Sequence, residues 1–115
     1  MSRKGRSSIA AKRHAYAPVF AALGDETRLW LVVKLCGGGP NSISQLTEGS
    51  QLTRQAITKH LRVLERAGVV HSVRSGRESL FHFDPKPIEG MKEYLALVSE
   101  QWDQALARLK SFVED

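Results

Sequence analysis

Only one cysteine, Cys36, occurs in 115 residues, so no disulfide can close within the chain and the small secreted disulfide scaffolds are excluded. A reducing, cytoplasmic setting is the expectation. No apolar run approaches the roughly eighteen residues that a membrane-spanning helix needs, and the cationic opening MSRKGRSSIAAKRH leads into no apolar stretch of signal-peptide length. No membrane partner is expected. Acids are missing from the start as well: none precedes Asp25, while Arg3, Lys4, Arg6, Lys12 and Arg13 accumulate there. The glycine run Gly37–Pro40 is not followed by Lys-Ser or Lys-Thr, so it reads as a chain reversal and not as a phosphate-cradling loop. The four histidines, His14, His60, His71 and His82, fall on four different expected elements. A tetrahedral metal site needs several convergent ligands, so no metal, no cofactor and no catalytic residue is expected.

What the chain does have is positive charge, unevenly spread. The formal net charge is +5. Residues 1–86 carry fourteen Lys/Arg against six Asp/Glu, an excess of +8, whereas residues 87–115 carry three against six, an excess of −3. Such a split suits a leading portion that meets phosphate and a closing segment that meets protein. The length suits one domain. Residues 1–10, basic with scattered Gly and Ser, read as a flexible arm, and residues 11–115 as a single domain.

Helical spacing organises that domain. Tyr16, Val19, Phe20 and Leu23 form a stripe ending at Gly24, and Asp25 is placed to cap a second helix whose expected buried side is Leu29, Val32, Val33 and Cys36. On that stripe Cys36 is read as inert core, the other reading being a thiol that senses oxidants. A thiol enzyme is remote, because no base is placed beside Cys36 by any local pattern. SISQL, residues 42–46, opens a short helix with a Ser42-to-Gln45 capping box, closed by Gly49.

After a tight turn comes LTRQAITKHLRVLERAGVV, residues 52–70. Its apolar stripe is Ile57, Leu61, Leu64, with Thr53 as N-cap and Gly68 as the stop. The opposite side carries Arg54, Gln55, Thr58, Lys59 and Arg62, the donor types that a helix lying in a DNA major groove uses; a solvated surface is the plainer use of such a face. Two short helices joined this closely make a helix-turn-helix in which the second, about 53–67, reads DNA and the first crosses the backbone. Ser42, at the start of that first helix, joins the expected contact set, and so does His60, which also borders the apolar stripe. VVHSVR and SLFHF, in a segment of about 69–84, then alternate as a β-hairpin around Gly76. A hairpin here is a wing, and Arg74 and Arg77 at its tip reach toward phosphate or the minor groove. Protecting an exposed edge strand is the other use of such arginines.

From Ile88, the positions Met91, Leu95, Val98, Trp102, Ala105, Leu109 and Phe112 repeat every seven residues along a helix of about 87–113. A seam held this long is how helices pair. The expectation is a homodimer, built from this helix with Tyr16, Val19 and Phe20 on one side and Met91, Leu95, Val98, Trp102 and Leu109 on the other. A helix folded back on its own domain remains the alternative. The fold class is thus mostly α with a small β-hairpin, a winged helix-turn-helix whose N- and C-terminal helices form a dimer interface.

These segments together resemble the ArsR family of bacterial winged-helix repressors. LGDETRL (residues 23–29) is similar to the start of that family's second helix, TRQAITKHLRVLERAGVV (53–70) to its recognition helix, and SGRESLFHF (75–83) to its wing. The likeness runs from about Tyr16 to Phe112. It implies a homodimeric transcriptional regulator, usually a repressor that leaves its operator when a signal arrives; the twofold axis of the expected dimer makes that operator an inverted repeat in double-stranded DNA. It matches Thr53, Arg54, Gln55, Thr58, Lys59 and His60 to the DNA-facing segment and Arg77 to the wing tip. The family's metal-sensing members carry cysteines ahead of the recognition helix or Asp and His ligands on the last helix. Here residues 42–50 have neither Cys nor His, nor do residues 87–115. The resemblance is therefore to the branch without these metal sites, with a small-molecule effector, if any, of unknown chemistry. A second reading stays open at this point: a protein-interaction module of winged-helix shape that does not read DNA.

Overall fold

The computed structural model describes residues 2–114, with side chains from residue 9 onward. Five helices and three short strands follow one another: α1 (Ser2–Leu23), α2 (Glu26–Gly37), β1 (Asn41–Ser42), α3 (Ile43–Glu48), α4 (Arg54–Arg66), β2 (Val70–Ser75), β3 (Glu78–Phe83) and α5 (Lys86–Glu114). The expected order is present, with one addition. β1 pairs antiparallel with Leu80 and Phe81 of β3, so the hairpin belongs to a three-stranded sheet of order β1-β3-β2. Two residues are too few to leave a periodic trace in sequence. Residues 2–10, read above as an arm, belong to α1 in backbone conformation; the side chains of residues 1–8 lie outside the described residues.

Local chemistry sets the ends of the helices. Asp25 accepts from the Arg28 amide at the start of α2, and the Ser42–Gln45 capping box closes in both directions at α3. Thr53 accepts from the Ala56 amide to open α4. At the other end Gly68 takes φ +80°, with its N–H donating to Glu65 O and that of Val69 to Leu64 O. That pair of bonds is a Schellman ending, which needs a residue tolerant of the left-handed region.

The core gathers one stripe from each helix and one side of the sheet. Ile57, Leu61 and Leu64 of α4 are completely buried, beside Leu31 and Leu35 of α2, Leu46 of α3, Val19 and Ala22 of α1, and Val69, Val70 and Phe81. At about 1.5–3 kcal/mol for each fully buried aliphatic side chain, the α4 stripe alone is a large share of a small domain's stability. In α2 the inward face differs from the expected one. Leu31 and Leu35 face in, Trp30 and Val32 are half-buried, and Leu29 (50 % exposed), Val33 (70 %) and Cys36 lie outside. The run LWLVVKLC is apolar nearly all round, so its spacing leaves the helix's rotation open; packing against β3 and α4 decides it. Partial desolvation still pushes the Cys36 thiol pKa up.

α1 and the first turns of α5 pack against each other. Gly90 is buried under the Tyr16 phenol, Phe20 meets Tyr94 edge-on with ring centroids 6.1 Å apart, and Lys12 pairs with Glu93 at 3.4 Å. Beyond Val98 every described residue of α5 is exposed, including Trp102 (58 %), Leu109 (57 %) and Phe112 (82 %). The radius of gyration is 18.6 Å, against about 13 Å for a compact chain of similar length. The surplus is the free half of α5.

A Cβ at Gly90 would overlap both the hydroxyl and the ring of Tyr16. Gly90→Ala is therefore expected to destabilise the fold by about 1–3 kcal/mol through overpacking, read as a lower urea midpoint. The Tyr16→Ala, Gly90→Ala double variant should recover part of the loss relative to the sum of the two singles.

Candidate nucleic-acid interface

Because the Ile57–Leu61–Leu64 stripe turns fully inward, the opposite side of α4 is forced outward. Gln55, Lys59 and Arg62 are exposed on that side at spacings of four and three, with Arg54 exposed and Thr58 half-buried beside them. Arg54, Gln55, Thr58 and Lys59 line one open depression. Arg66, not singled out from the sequence, continues the row four residues after Arg62; it also borders a groove with Pro18 and Ala21 of α1. Its spacing was the available signal.

The side chains on this face differ in how firmly they are held. Arg54 donates from Nη1 to Ser44 Oγ at 2.6 Å, and the Thr58 hydroxyl donates to Arg54 O at 2.7 Å. Among the described residues, none is hydrogen-bonded to the side chains of Gln55, Lys59 or Arg62, which are left to seek partners on a ligand. Arg54, Lys59, Arg62, Arg74 and Arg77 have no carboxylate partner among the described residues. The face thus keeps its full positive charge.

Two expected contacts lie elsewhere. Ser42 is 4 % exposed, and its hydroxyl and amide are both occupied by the capping box that builds α3. His60 turns toward α2, with Nδ1 3.2 Å from Arg28 Nη1 and 3.7 Å from Asp25 Oδ2. Arginine only donates, so Nδ1 accepts. Arg28 also donates through Nε to Ala22 O at 2.5 Å, which ties α4 to the junction of α1 and α2. Thr53 is exposed, but its hydroxyl oxygen is the helix cap.

The wing stands beside this face. β2 and β3 pair in register from Val70↔Phe83 to Ser75↔Glu78, so Gly76 and Arg77 alone form the loop, and Gly76 takes φ +61°. A positive φ only at the first loop position is the type II′ pattern, which favours glycine there and suits the twist of the strands. Arg74 and Arg77 are exposed at this tip. Ser72 Oγ donates to Glu65 Oε2 at 2.7 Å, joining β2 to α4. At the base of the wing His71 and His82 face each other across the strands, ring centroids 5.8 Å apart, and His71 meets Asp84 at 2.8 Å. His14 and His60 are on α1 and α4. Among the described residues no group of three or more His, Cys, Asp or Glu is gathered as a metal site would require.

Two carboxylates outside the cationic face hold the frame. The Arg28 amide holds the Asp25 carboxyl below the usual aspartate range, with the nearby Arg28 guanidinium adding to the effect. The Lys86 amide and then His71 do the same for Asp84. Folded values lowered in this way mean stability that is fully present above the ordinary 3.8 and is lost as pH falls through the lowered values. Asp84→Ala and Asp25→Ala are therefore expected to lose stability at neutral pH and less of it at acid pH. Denaturant midpoints at pH 7 and near pH 2.5 check this, and an equal loss at both would contradict the assignment.

Comparison with known proteins agrees with this arrangement. Residues 25–72 match the family described as bacterial regulatory protein, arsR family. An HTH-type transcriptional regulator of Bacillus subtilis is 37 % identical over 79 residues, 64 % of this chain and 86 % of the relative. The arsenical resistance operon repressor of the same organism is 28 % identical over 76 residues, 66 % of this chain and 72 % of the repressor. The solved structure of an ArsR-like transcriptional regulator from Rhodococcus sp. RHA1 superposes with a TM-score of 0.76 at 35 % identity, covering 91 % of this chain and 95 % of that one. With its capped α4, its wing and these likenesses along its length, the chain belongs to the ArsR family of bacterial transcriptional regulators, as a winged helix-turn-helix protein.

Proposed function

We propose that this regulator acts as a homodimeric repressor that recognises an inverted repeat in double-stranded DNA, with Gln55, Lys59 and Arg62 of α4 toward the base edges and Arg74 and Arg77 of the wing toward the backbone. The observation that carries the reading is the row of unheld polar and cationic side chains on α4, on the side opposite a completely buried stripe. A helix rotated this way offers the major groove donors that reach bases, while the frame behind it stays fixed.

The outer half of α5 supports the homodimer in this reading. The outer half of α5 carries Trp102, Leu106, Leu109, Phe112 and Val113, all more than half exposed. Large apolar side chains at helical spacing on a free helix are a partner surface, and a symmetric pairing of two such helices covers both at once. The inner part of the expected interface is divided differently. Val19 and Met91 are buried within one chain and Tyr16 and Phe20 pack on the same core, whereas Leu95 and the residues after it remain available. The seam from Leu95 onward, with Trp102 at its middle, is the part assigned to the second copy.

A repressor of this design works in the bacterial cytoplasm, where the DNA is; no helix among the described residues is long and apolar enough to cross a membrane. Release by a small-molecule effector would require that the effector bind the free dimer better than the DNA-bound one.

Selection of binding sites from random duplexes is expected to enrich an inverted repeat with half-site centres roughly 34 Å apart. Failure to enrich any symmetric site would count against DNA reading by a dimer. Gln55→Ala should relax preference at one position of each half-site by about 1–3 kcal/mol. Sedimentation should give a dimer for the unaltered chain and a monomer for Trp102→Lys, Leu109→Lys, which should also lose the selected site by more than about tenfold.

A further inference from the structure

Between α3, the first turn of α4 and the root of the wing lies a notch lined by Ser44, Arg54, Arg77, Glu78 and Ser79, with Ser42 and Ile43 at its floor. Arg54 and Arg77, from segments 23 residues apart in sequence, both line it. Neither has a carboxylate partner within ion-pair distance among the described residues. Glu78 borders the notch, so the side chains there leave a surplus of one positive charge. Ser44 and Ser79 line it as well.

Arg54 is not free to search for a base. Its Nη1 is tied to Ser44 Oγ at 2.6 Å, ten residues away on α3, and its side chain borders both the α4 depression and the notch. Arg77, in the loop of the hairpin, approaches the same space from the wing. If α4 enters the major groove and the wing lies over the neighbouring minor groove, the ridge between the two grooves is a sugar–phosphate strand. A group that touches Arg54 and Arg77 together lies on that ridge. A phosphodiester oxygen pair suits two planar guanidiniums with hydroxyl donors beside them.

Resting on the DNA-binding reading above, we propose that this notch seats one backbone phosphate of the duplex, gripped jointly by Arg54 and Arg77. Arg54 is then a positioning residue, set by Ser44, that fixes the register of α4 and reads no base. Sequence preference falls to Gln55, Lys59 and Arg62. Glu78 weakens the grip on every sequence alike.

The test uses the full-length protein, its selected duplex and a random duplex of equal length. Arg54→Gln and Arg77→Gln are each expected to cost about tenfold on both duplexes, leaving the preferred bases unchanged. Each should lower the salt slope by about 0.9, and the double variant by about the same single step, because both residues serve one phosphate. Glu78→Gln should tighten binding to both duplexes. Replacing phosphates one at a time with neutral methylphosphonates should reveal one position per half-site whose neutralisation weakens the unaltered protein but neither arginine variant. The proposal is overturned if Arg54→Gln changes which base is preferred, or if the two variants respond to different phosphates. These arginines are exposed, so matching thermal melts establish that the variants are folded. An unaltered protein that enriches no sequence would fail the functional reading itself, a result distinct from all of these.

Discussion

The rotation of α4 about its own axis is the constraint on which the rest of the molecule depends. Ile57, Leu61 and Leu64 are all completely buried, and each would lose a few kcal/mol of stability if turned toward water. No other rotation buries them together. The Thr53 cap and the Gly68 ending bound the helix at both ends, and the Arg28–His60 contact and the Ser72–Glu65 bond tie its flanks to α2 and β2. A helix held on three sides presents its fourth as a rigid surface. For a reader of DNA such preorganisation spares the entropy of ordering the contacts on binding.

Electrostatics follows from the same frame. Carboxylates are spent on structure: Asp25 and Asp84 accept backbone amides, Glu65 accepts from Ser72, and Glu93 pairs with Lys12. The cations of α4 and the wing are left without intramolecular partners among the described residues. Charge segregation of this kind concentrates positive potential on one side of the domain, where a polyanion gains from counterion release. The acidic last segment lies on α5, outside the helix-turn-helix and the wing.

Apolar surface is segregated too. The first turns of α5 complete the core of their own chain through Met91 and the close approach of Gly90 to Tyr16, while the outer turns carry exposed Trp102, Leu109 and Phe112. One continuous helix thus belongs to two packing problems. A second stripe on α2, Leu29, Val33 and Cys36, is exposed among the described residues.

Amphipathic spacing and capping chemistry were legible without coordinates because both are local: the α4 stripe, the Thr53 and Asp25 caps, the Ser42–Gln45 box, the glycine turn of the wing and the length of α5 all follow from neighbours within a few residues. From α2 onward the sequence by itself therefore determined which segments become helices, where they end and which face of α4 carries the cations, whereas residues 2–10, basic and without an apolar stripe, joined α1 unannounced. Only the tertiary structure decided the rotation of α2, since an all-round apolar helix has no preferred face until its neighbours choose one. It also decided the two-residue β1, the inward turn of His60, the burial of Ser42 and the notch that Arg54 and Arg77 both line. Each of these depends on which distant segment arrives alongside, and a contact between residues far apart in the chain leaves no periodicity in the chain itself.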